Sequence, residues 1–374
     1  MPNFFAAAPK GLAEVLEKEL HQMGISQTQK IASGVFFDSS WEGCYKVNLC
    51  SRIASRVMKP VLDFPAYTGE DIYFNIKKHD FTKYIDPKAT LRIEASVKES
   101  KIHDQRFLAM KVKDAIVDQF RDKFGIRPDV DNANPDLRVI VRGHKNEYHV
   151  AIDTSGDPLF MRGYRREAGE APLKENLAAG LLALTEWDGK SPIVDPMCGS
   201  GTFLIEAAMK AMNIAPGSMR KSFGFMKLNN FEKEKWEALL DETVAQEKEE
   251  LDFQFFGYDV DRQVLQYAKD NARRAGVDQV ISFKKETVAT IEPPVEKGMV
   301  ITNPPYAIRI GDEDNVRDVY RDLSFTLKHR FKGWTAWLLS GNKDLIADLK
   351  LKSTRKFFVY NGAIECRLLK YEMF

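Results

Sequence analysis

The chain has 374 residues, 44% of them hydrophobic and 29% charged, with a formal net charge of +1. That length holds two or three domains with substantial cores, and the composition excludes a disordered or fibrous chain. The near-zero balance also excludes wholesale polyelectrolyte attraction to nucleic acid, so any such surface must come from local patches.

Cys44, Cys50, Cys198 and Cys366 lack paired spacing, so neither a disulfide framework nor a zinc site is expected, and a reducing cytoplasm fits. No run approaches ~20 uninterrupted apolar residues, so no membrane span is expected.

The N-terminal "NFFAAAP" reads as a strand, and "KGLAEVLEKELHQMG" as an amphipathic helix ending at Gly24. The apolar start contains an Ala-x-Ala triplet but has neither a basic opening nor a long apolar run, so a signal peptide is not expected. "SGVFFDSS" is a second strand, and "WEGCYKVNLCSRIASRVMKPVLDFP" a helix followed by a strand. Between Asp80 and Asp153 the pattern recurs: strand "LRIEASVKES", helix "DQRFLAMKVKDAIVDQFRDKFG", hairpin "DLRVIVRGHKNEYHVAID". Both blocks read as small α+β units.

"TSGDPLFMRGYRREAGEAPLKEN", residues 154–176, breaks the pattern with glycine, proline and charge and marks a domain boundary. Arg162, Arg165, Arg166 and Lys174 in it are candidates for phosphate contacts, as is Arg309 further on. Beyond it the chain alternates: helix "LKENLAAGLLALTEW", strand "PIVDP", helix "GTFLIEAAMKAMN", strand "DFQFFGYDV", helix "DRQVLQYAKDNARRAG", then strands "ISFKKE" and "GMVITNPP". Such alternation predicts a mostly parallel, doubly wound sheet. An insertion over 214–250 contains a charged helix, "FEKEKWEALLDETVAQEKEE", read as a solvated face.

Three segments carry chemistry. In "IVDPMCGSGTFLIEAA" a strand ends in Asp195, and Gly199-Ser200-Gly201 opens a helix whose free amides suit a carboxylate or phosphate. A P-loop would need a lysine after its second glycine, where Thr202 stands, and a pyrophosphate would be repelled by Asp195. A sulfonium with an ammonium beside it suits that acid, which points to S-adenosylmethionine. Cys198 is a small filler of the same loop. The next strand ends in Asp259, placed to accept both ribose hydroxyls of an adenosyl group; Asp261 is either a further contact or the cap of the following helix.

The third segment is "VITNPPYAIR", where Pro304 and Pro305 stop a strand abruptly. The exocyclic amine of guanine or adenine is conjugated with its ring and is a poor nucleophile. Two acceptors aimed at its hydrogens, the side-chain oxygen of Asn303 and the carbonyl of Pro304, favour pyramidal geometry and free the lone pair. The prolines hold both acceptors rigidly, and Tyr306 offers a flat face for an extruded base.

"DPMCGSGTFLIEAA", "GYDVDRQVLQYAKDNARRAGV", "TNPPYAIRIGDEDNVRDVYRDL", "RGYRREAGEAPLKENLAAGLL" and the C-terminal "NGAIECRLLKYEMF" together resemble the class I RNA guanine-N2 methyltransferases that carry an N-terminal THUMP domain. The likeness is nearest to those acting on large-subunit ribosomal RNA. It implies an N-terminal ferredoxin-like region (1–65), an RNA-docking THUMP domain (66–155) and a Rossmann-like catalytic domain (156–374). The implied product is N2-methylguanosine in 23S rRNA. The implied cofactor contacts are Pro172, Leu173, Asp195, Pro196, Cys198, Gly199, Ser200, Gly201, Thr202, Asp259, Val260, Asp261, Glu286, Thr287 and Asn303, with S-adenosylhomocysteine as co-product. The implied catalytic pocket is Asn303, Pro304, Pro305 and Tyr306, with no metal. Relatives often carry an aspartate where Thr287 stands, leaving Glu286 or backbone groups to hold the adenine amine.

Rival readings are a tRNA guanine-N2 enzyme of the same family, a DNA adenine-N6 methyltransferase, a glutamine methyltransferase and a non-enzymatic RNA-binding module. The strand-rich N-terminal half suits neither the DNA nor the glutamine enzyme.

Overall fold

The computed structural model describes residues 3–166, 173–306 and 313–374. Pro172 and Arg309 lie outside the described residues.

The N-terminal half is built on one eight-stranded sheet. Its strands are β1 (Phe4–Ala7), β2 (Thr28–Ile31), β3 (Gly34–Phe37), β4 (Arg56–Pro65), β5 (Thr90–Lys98), β6 (Asp129–Val130), β7 (Leu137–His144) and β8 (Glu147–Asp153), in the order β2-β3-β1-β4-β8-β7-β5-β6. The two α+β blocks read from sequence are therefore joined into one sheet. The join is β4, whose ten residues pair with β1 through Met58 and with β8 from Met58 to Pro65. Helices α1 (Ala13–Gln22), α2 (Trp41–Cys50), α3 (Gly69–Lys77) and α4 (Gln105–Phe124) belong to this half. A capping box between Thr68 and Asp71 starts α3, and left-handed Gly125 (φ +73°) ends α4.

The catalytic-type half carries a seven-stranded sheet: β9 (Ile193–Asp195), β10 (Phe255–Asp259), β11 (Ile281–Lys285), β12 (Met299–Thr302), β13 (Thr335–Ser340), β14 (Arg355–Asn361) and β15 (Ile364–Glu372), ordered β11-β10-β9-β12-β13-β15-β14. The first five pair in parallel, and the terminal hairpin adds β15 and β14 antiparallel. Helices α5 (Glu175–Leu184), α6 (Thr202–Ala211), α7 (Lys233–Ala245), α8 (Arg262–Arg274), α9 (Glu313–His329) and α10 (Lys343–Asp348) complete it. The expected class, an α/β methyltransferase-like sheet preceded by α+β regions, is the observed one. No helix among the described residues is long and apolar enough to cross a membrane.

The two halves share a core. Phe4, Leu12 and Leu16 belong to the same buried cluster as Leu177, Phe203 and Trp337. The 214–250 insertion joins it: Tyr45 of α2 stacks on Phe225 at 4.4 Å and meets Trp236 of α7 edge-on at 6.3 Å. The charged helix read as a solvated face is thus anchored by one buried tryptophan, 8% exposed. Arg220 of the insertion donates to four linker carbonyls, those of Ser155, Asp157, Pro158 and Met161.

Two linker arginines proposed for phosphate are spent internally. Arg162 is 1% exposed and pairs with the fully buried Glu206 of α6 at 3.4 Å. Arg165 pairs with Glu175 at 2.8 Å and donates to the Leu173 carbonyl and the Thr202 hydroxyl. A guanidinium enclosed by a carboxylate and carbonyls is not available to an outside anion. Arg166 and Lys174 are exposed.

Glu206 also accepts from the Tyr164 hydroxyl at 3.1 Å. Removing Arg162 strands a buried carboxylate, so Arg162→Ala should destabilise the chain by about 3–5 kcal/mol. Glu206→Gln, which keeps an acceptor, should cost less. Urea unfolding of the three proteins is the measurement.

Candidate active site

The ends of β9, β10 and β12 open into one cavity of about 720 Å³. The strand order explains its position. From central β9 the chain runs outward to β10 and β11, then returns to β12 and β13 on the other side. The crevice beyond the carboxyl ends of the strands at such a reversal is where open α/β sheets bind ligands.

After β9 the chain turns sharply. Gly199 and Gly201 have φ of +53° and +82°, a region that favours glycine. A Cβ on Gly199 would meet nothing within 4 Å, so there the backbone angle alone requires glycine. A Cβ on Gly201 would come within 3.1 Å of the Phe283 ring and 3.2 Å of Ala268. Gly201 therefore packs behind the loop and does not line the cavity, unlike Gly199, Ser200 and Thr202. As N-cap of α6 it supplies no side-chain cap, which leaves that helix end free for an anionic group.

The loop is tied to its neighbour. The Cys198 amide donates to the Tyr258 carbonyl at 2.8 Å, and the Gly199 amide to the Asp259 carboxylate at 2.9 Å. The other Asp259 oxygen accepts the Asp261 amide at 3.0 Å. Each carboxylate oxygen thus holds one backbone donor and keeps a second acceptor position. Asp261 is the cap of α8, accepting from Gln263 and Val264 at 2.8 and 3.3 Å, with its side chain at the cavity rim.

Asp195 is 2% exposed, accepts the Met197 amide at 3.2 Å, and forms no ion pair among the described residues. Burial, with the charge of Asp259 nearby, pushes its carboxyl up to about 7. The site therefore holds an acid that a bound cation would ionise.

On the opposite wall β12 ends at Thr302, and Asn303, Pro304, Pro305 and Tyr306 follow. The Tyr306 hydroxyl donates to the side-chain oxygen of Asn303, and the Cys366 thiol lies 3.8 Å from that hydroxyl. The Tyr306 carbonyl accepts from Asn342 at 3.3 Å. Burial raises the Tyr306 phenol far above its ordinary value. The acceptor offered to a substrate amine in the sequence reading is thus already holding a hydroxyl, and the ring is half-buried with its polar end turned inward.

Of the residues expected at the site, Leu173, Asp195, Pro196, Cys198, Gly199, Ser200, Thr202, Asp259, Val260, Asp261, Glu286, Thr287 and Asn303 through Tyr306 line this cavity. The Glu286 amide donates to the Asp259 carbonyl at 3.1 Å, which fixes the β11 end beside it. Sequence reasoning missed Asp322 of α9 and Asn361 and Ile364 of the terminal hairpin. The hairpin turn "YNGAIE" was the available signal. No group of three or more potential metal ligands occurs among the described residues.

Comparison with known proteins gives three family matches along the chain: an RlmL ferredoxin-like domain over 3–58, a THUMP domain over 66–153, and an RMKL-like methyltransferase domain over 162–370. A putative RNA methyltransferase of Synechocystis sp. is 40% identical over 99% of this chain and 97% of its own length. The ribosomal RNA large subunit methyltransferase K/L of Methylococcus capsulatus is 40% identical over 99% of this chain. The match takes in 51% of that protein, so the chain spans about half the length of this relative. Among solved structures, a putative methyltransferase complexed with SAH superposes with a TM-score of 0.92 at 31% identity, covering 100% of this chain and 98% of that one.

The raised Asp195 carboxyl has a sign that can be checked. Below about pH 4 it is protonated whether folded or unfolded, and above about pH 7 it is ionised in both. Between them only the unfolded chain has lost the proton, so this group lowers the stability of the ligand-free protein by about 1.4 kcal/mol per pH unit. Asp195→Asn should gain on the natural chain by that slope from pH 4 to 7, and hold a constant margin above it, in urea titrations.

Proposed function

The chain belongs to the RMKL-like methyltransferase family, and we propose that it forms N2-methylguanosine in 23S ribosomal RNA as a cytoplasmic enzyme. The observation that carries this reading is one cavity lined by a buried acid, a glycine loop, a second acid and an asparagine-proline-proline-tyrosine turn. The THUMP match over 66–153 and the names of the relatives support RNA as the substrate class.

The methyl donor is S-adenosylmethionine, and the lining fits it. Asp195 suits the donor's positive charge, the uncapped α6 N-terminus its carboxylate, and the free acceptor positions of Asp259 the ribose hydroxyls. Val260 and Val288 offer apolar walls to an adenine ring, with Glu286 and Thr287 at its edge. When bound, this donor supplies an electrophilic methyl group and leaves as S-adenosylhomocysteine.

The residues of the turn act on the guanine. Asn303 and the Pro304 carbonyl accept the two hydrogens of its exocyclic amine and draw that nitrogen out of conjugation. No strong base is needed, because the nitrogen becomes an acidic cation as its bond to the methyl forms and the methyl–sulfur bond breaks, and its proton then passes to water. The Asn303 oxygen has two acceptor positions, so the Tyr306 hydroxyl can steady the amide while the amine takes the other. Leu173, held by Arg165 through its carbonyl, closes the donor side of the cavity.

Four measurements test this. Asn303→Ala should lower kcat by roughly a hundredfold or more while donor binding stays within about threefold. Tyr306→Phe, which keeps the ring but leaves the Asn303 oxygen without its hydroxyl donor, should lower kcat about tenfold, and Tyr306→Ala should lower it further. Donor affinity should rise with pH and level off near pH 7, where Asp195 ionises unaided; a flat profile between pH 5.5 and 7 would sink the role of Asp195. Labelled donor offered with rRNA, tRNA and DNA, followed by nucleoside analysis, separates the large-subunit reading from a tRNA guanine-N2 or DNA adenine-N6 enzyme. N2-methylguanosine in rRNA is expected; methylated tRNA guanine or DNA adenine alone would overturn the assignment.

A further inference from the structure

The edge strand of the catalytic sheet carries an unused feature. Along β14, alternate side chains face opposite ways. Phe357 stacks on Trp337 at 6.1 Å and Val359 is fully buried. Lys356, Phe358 and Tyr360 take the other face. There α9 and α10 gather Leu369 and Tyr371 of β15 into a core with Leu323 and Leu345, and Phe358 is left outside it, 51% exposed.

A single exposed phenylalanine is unremarkable, but the surroundings of this one are not random. The Lys356 amine lies 5.2 Å from its ring centre, and the Arg367 guanidinium, opposite it in register on β15, lies 5.7 Å away. Two residues on, the Lys10 amine of the N-terminal half sits 3.7 Å over the Tyr360 ring. Lys10, Lys356 and Arg367 have no carboxylate partner among the described residues. One acid, Glu365, is present, and it accepts the Tyr360 hydroxyl at 2.9 Å. The next residue, Asn361, already lines the cavity, as does Ile364 across the hairpin. The strip therefore runs from the cavity wall outward, basic and aromatic, with ~7 Å between successive side chains on this face.

We propose that Phe358 is a stacking platform for an unpaired nucleotide flanking the methylated guanine, with Lys10, Lys356 and Arg367 taking the adjoining phosphates. The inference rests on the reading of RNA as substrate. A flat, half-exposed ring binds any base by stacking, while cations around it meet the backbone. This combination suits a strand whose target base has been drawn into the cavity. A charged edge strand also discourages pairing between copies of a protein, but that purpose calls for the lysine and not for an exposed ring beside it.

The test is steady-state methyl transfer to rRNA by the full chain and three variants. Phe358→Ala should raise KM for RNA about tenfold, leaving kcat within twofold and KM for the donor unchanged. Phe358→Trp should restore the KM, and Phe358→Leu, apolar but not flat, should not. An unchanged RNA KM in Phe358→Ala, or rescue by leucine as good as by tryptophan, would overturn the platform while leaving the methyltransferase reading intact. So would sedimentation showing a dimer that Phe358→Ala dissociates without a change in RNA KM. Failure of the natural chain to methylate any RNA would sink both.

Discussion

The carboxylate of Glu206 has no access to solvent, and the relation between the halves of the molecule depends on it. It sits midway along α6, the helix whose first turn forms the floor of the cavity. From there it holds Arg162 and Tyr164 of the linker. Arg162 reaches on to the carbonyls of Leu159 and Arg52, and Arg52 in turn donates to the carbonyls of Met209 near the far end of the same helix and of Ile214 just beyond it. One helix is thus engaged at its start by Arg165, at its middle by Arg162 and near its end by Arg52. A buried ion pair adds little net stability over an apolar substitute, but it tolerates few alternative arrangements. Its consequence here is geometric: the N-terminal half is fixed relative to the loop that would hold the donor.

The cavity inherits that rigidity through short connections. β9 is only three residues long, and the loop after it is bonded to the end of β10 through the Gly199 amide and Asp259. The end of β11 is bonded to the same residue through the Glu286 amide. On the other wall, two prolines set the backbone angle after β12, and Asn342 holds the Tyr306 carbonyl from beyond β13. Parallel strands place all these ends at one edge of the sheet, so residues more than a hundred positions apart converge with no long loop between them.

How much of this was legible follows from what each signal depends on. The glycine loop, the strand-terminal acids and the double proline are local: they announce backbone geometry wherever they occur, and the structure puts them together. Arg162 and Arg165 were misread because charge in a glycine-rich stretch reads as solvent-exposed, and only their partners Glu206 and Glu175, both buried on apolar helices, show otherwise. Trp236 was likewise masked by the charges around it, since its partners Tyr45, Phe223 and Phe225 come from other segments. Asn361 and Ile364 are signalled only by the hairpin turn they flank; they reach the cavity because that hairpin inserts antiparallel beside β13. The continuity of the N-terminal sheet was also invisible locally, for it rests on one long strand serving two neighbours.

The contact between Tyr306 and Asn303 bears on why the turn ends in tyrosine when a phenylalanine would give the same ring. An amide oxygen aimed into a half-buried cavity is unsatisfied unless something donates to it, and leaving it so costs about 1–3 kcal/mol. The Tyr306 hydroxyl meets that need from within the same turn and fixes which way the amide points. Because the donor comes from three residues away on a proline-stiffened backbone, the orientation does not wait for substrate. The Asn303 oxygen is thus already set, with one acceptor position remaining. Cys366 on the terminal hairpin stands behind the phenol, so the position of that ring, and through it of Asn303, is referred to β15, the partner of the strand that carries the outer aromatic strip.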